Sequence, residues 1–316
     1  MMKVLVADSV SQGAMDLLKK SGIDVVYEEV SPEALLKRIP EFEGLMVRSR
    51  TKVTKQVIEA GKNLKVIGRA GIGVDNIDMP TATAKKIAVV NAPRASTISV
   101  AEFAFLHMLN MARGLSAADA SMKKGEWAKK KFKGNELYGK TLGFIGCGRI
   151  GYEVGMRAKA FGMKMVAYDP YITQQVLDPA GIKLTDLDTV LKESDFITIH
   201  ALLTNETRGM VNAGAIKKMK KTAFIINCAR GGIIDEKALK EALDSGNLAG
   251  ASLDVFENEP PTGSPLVTHP KVCASPHIAA STKEAQEVAG VTTAEQMIKF
   301  IKGDRPEFIV NKEILK

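Results

Sequence analysis

TLGFIGCGRIGYEVGMRAKAFGMKMVAYD, residues 141–169, is the stretch of this chain that decides its fold. Its first apolar run, residues 142–145, predicts a short buried strand, and a helical segment leads from there to a second apolar run at 163–168. The second run ends in Asp169, about 20 residues beyond the glycines that follow the first strand. This order of elements predicts a dinucleotide-binding βαβ unit. A carboxylate at Asp169 would accept hydrogen bonds from a ribose 2′-hydroxyl and repel a 2′-phosphate, so the expected cofactor is NAD.

The glycines of the turn, Gly146, Gly148 and Gly151, have the GxGxxG spacing. The first permits the tight turn off the strand, the second lets a pyrophosphate approach the backbone, and the third lets helix and strand pack closely. The helix that opens at Arg149 and Ile150 would present unpaired N–H groups and the positive end of its dipole to the phosphates.

Strands and helices alternate on both sides of this unit, which predicts an α/β fold with parallel sheets. In the first part of the chain we predict strands at residues 3–8, 24–27, 44–47 and 65–68. The βαβ unit is continued by predicted strands at 195–199, 223–227, 248–253 and 272–274, which would complete a six-stranded doubly wound sheet. One long helix is predicted at 96–124, and a last helix at 283–302 should return to the first domain.

The 316 residues are enough for two domains, each with its own core. We therefore predict two doubly wound parallel-sheet domains. One is a Rossmann-type dinucleotide-binding domain at residues 97–284, and the other is a smaller, discontinuous substrate-binding domain at 1–96 together with 285–316.

The composition, 45% hydrophobic and 25% charged, is that of an ordinary globular protein. No apolar run approaches the roughly 18 residues that a membrane span needs. The N-terminus enters a strand pattern directly, so we expect neither a signal peptide nor a membrane partner. Three cysteines without regular spacing argue against a disulfide framework and favour a reducing, cytoplasmic location.

The formal net charge of +8 leaves several interpretations open. The basic residues form no single long tract, and the densest group lies at residues 123–133 around Trp127. A solvated face that keeps the protein soluble and a site for an anionic small molecule both explain it. Nucleic-acid binding is the weaker interpretation, and we expect no such partner.

Ligands of open α/β sheets bind at the carboxyl ends of the strands, so the residues there are candidates for chemistry. Those ends carry His200, Arg230, Asp254, Glu259 and His277. Histidine titrates near neutrality and can exchange a hydroxyl proton, and a carboxylate behind it fixes its tautomer and favours its charged form. Arginine binds a substrate carboxylate in bidentate fashion. The set predicts hydride transfer at a hydroxyl-bearing carbon.

The other histidines and cysteines have simpler interpretations. His107 lies in an apolar helical pattern and is expected to be a packed helix residue, whereas His269 precedes a proline in an exposed loop. His200 ends a strand at the right edge, but no partner is evident in the sequence. Cys147 and Cys228 are expected to be small buried residues rather than nucleophiles. No Cys/His cluster has ligand spacing, so no metal site is expected.

Longer motifs stand in one order over residues 44–287: VRSRTKVT, IGRAGIGVDNID, ELYGKTLGFIGCGRIG, YDPY, INCARGGIIDE, LDVFENEPP and SPHIAASTKEAQ. In this set and order the chain resembles the D-2-hydroxyacid dehydrogenase family, and most closely the members that act on 3-phospho-D-glycerate. The resemblance implies a catalytic triad of Arg230, Glu259 and His277. It implies cofactor contacts at Ile72, Gly146, Gly148, Arg149, Ile150, Gly151, Asp169, Ala201, Cys228, Ala229, Arg230, Asp254, His277, Ile278, Ala279 and Ala280. It implies substrate contacts at Arg48, Ser49, Gly71, Ile72, Gly73 and Arg230.

The function that the resemblance implies is the NAD-dependent oxidation of the C2 hydroxyl of 3-phospho-D-glycerate to 3-phosphohydroxypyruvate, which leads into serine biosynthesis. A homodimer and a small anionic 2-hydroxy or 2-keto acid as partner are implied with it. A glyoxylate or hydroxypyruvate reductase, or another D-2-hydroxyacid dehydrogenase, is the alternative within the family. An NAD-sensing binding protein is the alternative of another class.

The chain departs from the family pattern in two places. Arg94 stands in a turn that is usually glycine-rich, so a polar contact expected from that turn is in question, and Arg94 could add positive charge instead. Ala279 stands where glycine is usual beside the active histidine. The chain ends at Lys316, which implies the short form without C-terminal regulatory domains. The lysines at 129–133 could reach a neighbouring subunit.

Overall fold

The computed structural model describes residues 2–315 and divides into two compact units, Met1–Ser96 with Ala280–Lys316 and Thr97–Ala279. In chain order the strands are β1 (Lys3–Val6), β2 (Asp24–Tyr27), β3 (Gly44–Val47), β4 (Val66–Arg69), β5 (Ala88–Asn91), β6 (Thr141–Ile145), β7 (Lys164–Tyr168), β8 (Lys183–Leu184), β9 (Phe196–Ile199), β10 (Phe224–Asn227), β11 (Gly250–Leu253) and β12 (Val272–Ala274). The α-helices are α1 (Gln12–Lys20), α2 (Pro32–Arg38), α3 (Lys55–Ala60), α4 (Met79–Ala84), α5 (Thr97–Arg113), α6 (Leu115–Lys123), α7 (Arg149–Ala160), α8 (Gln174–Leu177), α9 (Leu187–Glu193), α10 (Ala213–Lys218), α11 (Glu236–Asp244) and α12 (Lys283–Ile301).

The first unit is a parallel sheet in the order β2-β1-β3-β4-β5 with helices on its faces. Helix α12 packs against α1 and against β4 and β5, which makes the C-terminal segment part of this unit. Ala294 and Met297 of α12 are fully buried in that core. The helix begins where the Thr282 hydroxyl accepts the N–H of Ala285, a side-chain cap that satisfies one of the open N-terminal groups.

The second unit is a parallel sheet in the order β12-β11-β10-β9-β6-β7-β8. The order reverses between β6 and β9, which is the switch point where open α/β sheets bind ligands. Helix α5 packs against α7 and against β10 and β11. It therefore lies directly beneath the strands that carry the candidate site.

The predicted α/β class with two parallel-sheet domains is confirmed, but several details of the prediction differ from the structure. The second sheet has seven strands rather than six, because the two-residue strand β8 is too short to leave an apolar pattern. The predicted helix at 96–124 is two helices, because Gly114 adopts a left-handed conformation (φ 63°) and ends the first. Helix α4 and strand β5 were not predicted; the sequence of α4, MPTATA, has no apolar periodicity. The units change at Ala280, slightly before the predicted boundary at 285.

Candidate active site

Parallel pairing brings several predicted residues to one edge of the second sheet. Ile145, Ile199, Asn227, Leu253 and Ala274 are aligned across neighbouring strands. The residues that follow these strand ends are Gly146, His200, Cys228, Asp254 and Ser275. The edge thus gathers the glycine-rich loop, the loop of Arg230 and the loop of His277.

The glycine-rich loop fits a dinucleotide at each of its three glycines. Gly146 has a φ of 79°, and a Cβ there would lie 2.8 Å from the N atom of Ala201. A Cβ on Gly148 would meet no atom within 4 Å, so the backbone is open on that side. Gly151 packs against the carbonyl oxygen of Gly146, 3.1 Å from its ideal Cβ. Helix α7 starts directly after Gly148 without a side-chain cap, so its first N–H groups can bind phosphate oxygens.

Asp169 ties this loop to the end of β7. Its Oδ2 accepts the N–H of Cys147 (2.8 Å), and its Oδ1 accepts the N–H of Tyr171 (2.9 Å). The carboxylate is therefore fixed in orientation at the position where a ribose is expected. Cys147 is buried, and its burial, together with the charge of Asp169, raises the pKa of its thiol to about 12. This thiol is not a nucleophile at neutral pH.

His277 and Glu259 form a close pair, with 2.7 Å between Nδ1 and Oε2. The other carboxylate oxygen of Glu259 accepts the N–H of Phe256 (3.2 Å). Partial burial raises the pKa of Glu259, but the hydrogen bond and charge of His277, the Phe256 N–H and the charge of Arg230 outweigh it, so that the pKa lies below its usual value. Glu259 is then ionised at neutral pH and accepts from Nδ1–H of His277, which leaves Nε2 for proton exchange.

Arg230 is held in a turn that Asn227 clamps. The side-chain amide of Asn227 donates to the Arg230 carbonyl (2.9 Å), while its oxygen accepts the N–H of Ala229 (3.0 Å). The guanidinium of Arg230 donates to the Ala229 carbonyl (2.7 Å). Next to it, a Cβ on Gly231 would lie 1.8 Å from the Phe256 carbonyl oxygen, so only glycine lets this turn approach the segment that leads to Glu259.

Asp254 is fully buried and orders the loop that carries His277. Its Oδ1 accepts the N–H of Ile278 (2.9 Å) and the hydroxyl of Ser275 (2.6 Å), and its Oδ2 accepts the N–H of Ala279 (2.8 Å). His277 itself has a left-handed φ of 53°, and it is held between these anchored neighbours. Asp254 is therefore placed to position the loop that carries His277, and its contact with a cofactor remains a prediction.

Of the remaining predicted cofactor residues, Ile72 lies in the loop after β4 of the first unit, and the others lie at or just beyond the edge of the second sheet. Ala201 follows His200, and Cys228 and Ala229 precede Arg230. Cys228 is buried, which, with the charge of Asp254, raises its thiol pKa well above the usual value. Ala279 is buried within the second unit, and Ala280 begins the next segment of the first unit.

His200 follows β9 and is half-buried, with its Nδ1 shielded from solvent. Its Nε2 contacts the Thr198 hydroxyl (2.9 Å), while its Nδ1 is buried without a hydrogen-bond partner. Burial lowers its pKa to about 3, so the ring is neutral at physiological pH. In contrast to His277, whose side chain is 47% exposed, His200 is not placed for proton exchange with a substrate.

The corresponding edge of the first sheet carries the predicted substrate residues. Asp8, after β1, is 2% exposed and accepts the N–H of Arg48 (2.5 Å) and the hydroxyl of Thr51 (2.7 Å). It also accepts the Nε of Arg50 (2.9 Å). The Arg48 side chain reaches only the Ser9 carbonyl (3.3 Å), at the surface of the unit, and Ser49 is exposed.

The Gly71–Gly73 loop follows β4 and is held by its neighbours. The Asn91 amide donates to the Ile72 carbonyl (2.6 Å), and the N–H of Ala92 donates to the Gly71 carbonyl (2.9 Å). Arg69, which the sequence analysis missed, lies against this loop, because a Cβ on Gly71 would lie 1.7 Å from its Nη1. Its position at the end of β4 was the available signal, since ligands of open α/β sheets bind at the carboxyl ends of the strands.

Two further basic features lie outside these edges. Arg94 pairs with Glu307 (3.6 Å) and lies over the ring of Phe308, so its charge is engaged within the first unit. Lys129–Lys131 form an exposed 3-10 turn in the second unit. Over residues 2–315, no group of three His, Cys, Asp or Glu side chains could hold a metal ion, and no helix is long and apolar enough to cross a membrane.

Comparison with known proteins identifies the family. Residues 105–279 match the family model "D-isomer specific 2-hydroxyacid dehydrogenase, NAD binding domain". A D-3-phosphoglycerate dehydrogenase from Methanocaldococcus jannaschii is 52% identical over 98% of this chain and 60% of its own length.

Solved structures agree with this match. The TT0316 protein from Thermus thermophilus is 33% identical, with a TM-score of 0.89 over 98% of this chain and 100% of that one. A glyoxylate reductase from Paecilomyes thermophila is 28% identical, with a TM-score of 0.89 over 99% of both chains. The chain spans about 60% of the length of the curated relatives it matches. The chain belongs to the D-isomer specific 2-hydroxyacid dehydrogenase family, and the matched part of its second unit is that family's NAD-binding domain.

Proposed function

We propose that this chain catalyses the NAD-dependent oxidation of 3-phospho-D-glycerate to 3-phosphohydroxypyruvate, the reaction that leads into serine biosynthesis. The observation that carries the chemistry is the 2.7 Å pair of His277 with the ionised Glu259 at the edge of an NAD-binding sheet. The choice of substrate is supported by the D-3-phosphoglycerate dehydrogenases that are 45–52% identical over nearly the whole chain.

The residues of the second unit supply proton transfer and charge. Nε2 of neutral His277 takes the proton of the C2 hydroxyl, and Glu259 stabilises the imidazolium that forms. Arg230 binds the substrate carboxylate in bidentate fashion. Bound NAD would supply the acceptor for the hydride that leaves C2. The products are the 2-keto acid, NADH and one proton, which His277 returns to solvent.

We assign substrate binding to the first unit. The N–H groups of the Gly71–Gly73 loop are proposed to bind the carboxylate. The phosphate is a dianion that loses hydration on binding and must meet positive charge in return. Arg48 follows β3 and Arg69 ends the neighbouring strand β4, which makes them the best candidates for that role.

The rival within the family is a glyoxylate or hydroxypyruvate reductase, since a glyoxylate reductase is among the structural relatives. The rival of another class is an NAD-sensing binding protein. An intact histidine–carboxylate pair is not needed for sensing, and it favours an enzyme.

The deciding experiment is a panel of 2-hydroxy acids assayed with NAD by NADH absorbance. It pairs 3-phospho-D-glycerate with D-glycerate, which lacks only the phosphate, and adds glyoxylate and hydroxypyruvate with NADH in the reverse direction. We expect the highest kcat/KM for 3-phospho-D-glycerate. Preference for glyoxylate would select the reductase, and NADH binding without turnover of any acid would select the sensor.

We also propose a cytoplasmic homodimer. Helix α6 and the segment after it expose large apolar side chains, Leu115, Met122 and Trp127, and an interface would bury them. The three cysteines are free thiols, which supports a reducing compartment. Sedimentation equilibrium of the wild type and of Trp127→Glu tests the dimer; a monomeric wild type would contradict it.

A further inference from the structure

Beneath the loop of His277 lies a buried polar chain that the proposed reaction does not use. It runs from His107 of α5 to Ser275, and from Ser275 to Asp254. His107 is 5% exposed, and its ring meets that of Phe103 edge-on at 4.5 Å, so its orientation is fixed. All three residues lie within the second unit.

The hydrogen bonds of Ser275 determine the tautomer of His107. Asp254 is a carboxylate and can only accept, so the single hydroxyl proton of Ser275 is committed to Asp254 Oδ1 at 2.6 Å. Ser275 Oγ must then accept at its other contact, His107 Nε2 at 3.2 Å. The ring therefore carries its proton on Nε2.

The contact of the other ring nitrogen of His107, Nδ1, agrees with a proton on Nε2. His107 Nδ1 makes a short contact with the hydroxyl of Ser252, which is fully buried on β11. In the Nε2–H tautomer Nδ1 accepts the Ser252 proton, while the alternative acceptor, the Cys273 carbonyl, is more distant at 3.4 Å. Burial lowers the pKa of His107 despite the charge of Asp254, which is consistent with a neutral ring.

We propose that His107 is a positioning residue of the active site. As a neutral Nε2–H imidazole it keeps the Ser275 hydroxyl turned to Asp254, and Asp254 in turn anchors the main chain on the C-terminal side of His277. The inference depends on the proposed function in one respect: it assumes that the loop of His277 binds NAD and that His277 takes part in the reaction. With the opposite tautomer, Ser275 could donate to His107 instead, and Asp254 would lose one of its three donors.

The first test needs neither substrate nor turnover. The sequence has four histidines, so ¹⁵N-labelled imidazoles can be assigned with single His variants. In the protein without cofactor, we expect His107 to show a protonated Nε2 and a bare Nδ1 at pH 7.5. A protonated Nδ1 or a doubly protonated ring would overturn the proposal.

The second test measures NADH affinity by fluorescence in His107→Leu, His107→Gln and Ser275→Ala. His107→Leu and Ser275→Ala should each weaken binding roughly 2- to 12-fold, the scale of one lost hydrogen bond, and their effects should not add in the double variant. His107→Gln, whose amide can donate from a similar position, should retain most of the affinity.

Phe105→Leu is the matched control, since Phe105 is buried on the same helix but packs against Phe161 instead. It should lower the unfolding temperature without changing NADH affinity. If His107→Leu behaves in the same way, the residue is merely structural and the proposal fails. If the wild type binds no NADH, the proposed function fails, and the tautomer measurement still decides the state of His107.

Discussion

At the carboxyl ends of the strands, each of the two sheets has a buried carboxylate that orders a loop, but the partners of the two carboxylates differ. At the first edge the buried carboxylate of Asp8 accepts the N–H of Arg48 and also the guanidinium of Arg50. At the second edge the buried carboxylate of Asp254 accepts two N–H groups of the His277 loop and takes a serine hydroxyl in place of a cation. In both units, a carboxylate that follows one strand orders the loop that follows the neighbouring strand, and that loop contains the candidate site residues.

The comparison shows that a charged residue in a sequence motif is not always available to bind a ligand. The sequence VRSR presents two arginines just after β3, yet of these two side chains Asp8 engages only that of Arg50. The edge of the second sheet likewise presents two histidines, yet only His277 has a carboxylate partner and an exposed ring. Partners that lie far away in sequence determine which of two similar residues is available.

The largest expected effect separates the two histidines of the second edge. His277→Ala should lower turnover about 100-fold or more, the usual scale for a lost general base, while NADH affinity changes little. His200→Gln is the matched control and should keep most of the turnover, because that ring is shielded. Steady-state kinetics and NADH titration measure both; equal losses would mean that the shielded ring takes part in the chemistry.

The next effect separates the two arginines of the first edge. Arg48→Ala should raise KM for 3-phospho-D-glycerate roughly 10- to 150-fold, the scale of a lost charge-assisted contact, and leave KM for D-glycerate nearly unchanged. Arg50→Ala should affect both substrates alike, because Arg50 is engaged by Asp8 and the Ala7 carbonyl. If Arg48→Ala weakens both substrates equally, Arg48 serves the carboxylate end instead.

The sequence predicted those parts of the molecule that depend on local pattern. The βαβ unit and the parallel sheets follow from apolar periodicity and glycine spacing, and the structure confirms them, while the predicted strands at 3–8 and 65–68 end instead at Val6 and Arg69. Strand β8 was missed because two residues form no pattern. Arg69 was missed although it ends β4, and its packing against Gly71 appears only in three dimensions.

The polar network under the site could not be predicted from sequence. His107 was interpreted as a packed helix residue, and it is buried as expected, but it also contacts two serines far along the chain. An apolar helical pattern indicates which face of a helix is buried, but it does not indicate which polar side chains from other elements contact that face. The roles of the triad and of the cofactor residues remain predictions, and the His277 variant above tests one of them.

A third effect is a pH dependence of stability that comes from His200. Its pKa is about 3 in the folded protein and about 6.5 when unfolded. The unfolded state therefore binds a proton first as the pH falls, and the stability that is complete above pH 6.5 is lost progressively toward pH 3. The loss should reach about 2 kcal/mol at pH 5.

Urea unfolding at pH 7.5 and pH 5 measures this loss for the wild type and His200→Asn. At pH 7.5 both proteins carry no charge at this position, so any difference there reports packing alone. The variant should lose less stability between the two pH values. Parallel losses would show that His200 is solvated in the folded state.

The smallest expected effect concerns the carboxylate that orders the glycine-rich loop, Asp169. It has two functions that a charge-neutral variant separates: it accepts the N–H groups of Cys147 and Tyr171, and its charge should repel a 2′-phosphate. Asp169→Asn keeps one acceptor oxygen and removes the charge, so it should narrow the preference for NAD over NADP several-fold, up to roughly tenfold for one altered contact. Asp169→Ala also frees the loop and should weaken both cofactors. Ratios of kcat/KM for NAD and NADP decide between the functions. An unchanged ratio in Asp169→Asn would mean that this carboxylate acts only as an anchor for its loop, as Asp8 does at the other sheet, and that another group excludes the 2′-phosphate.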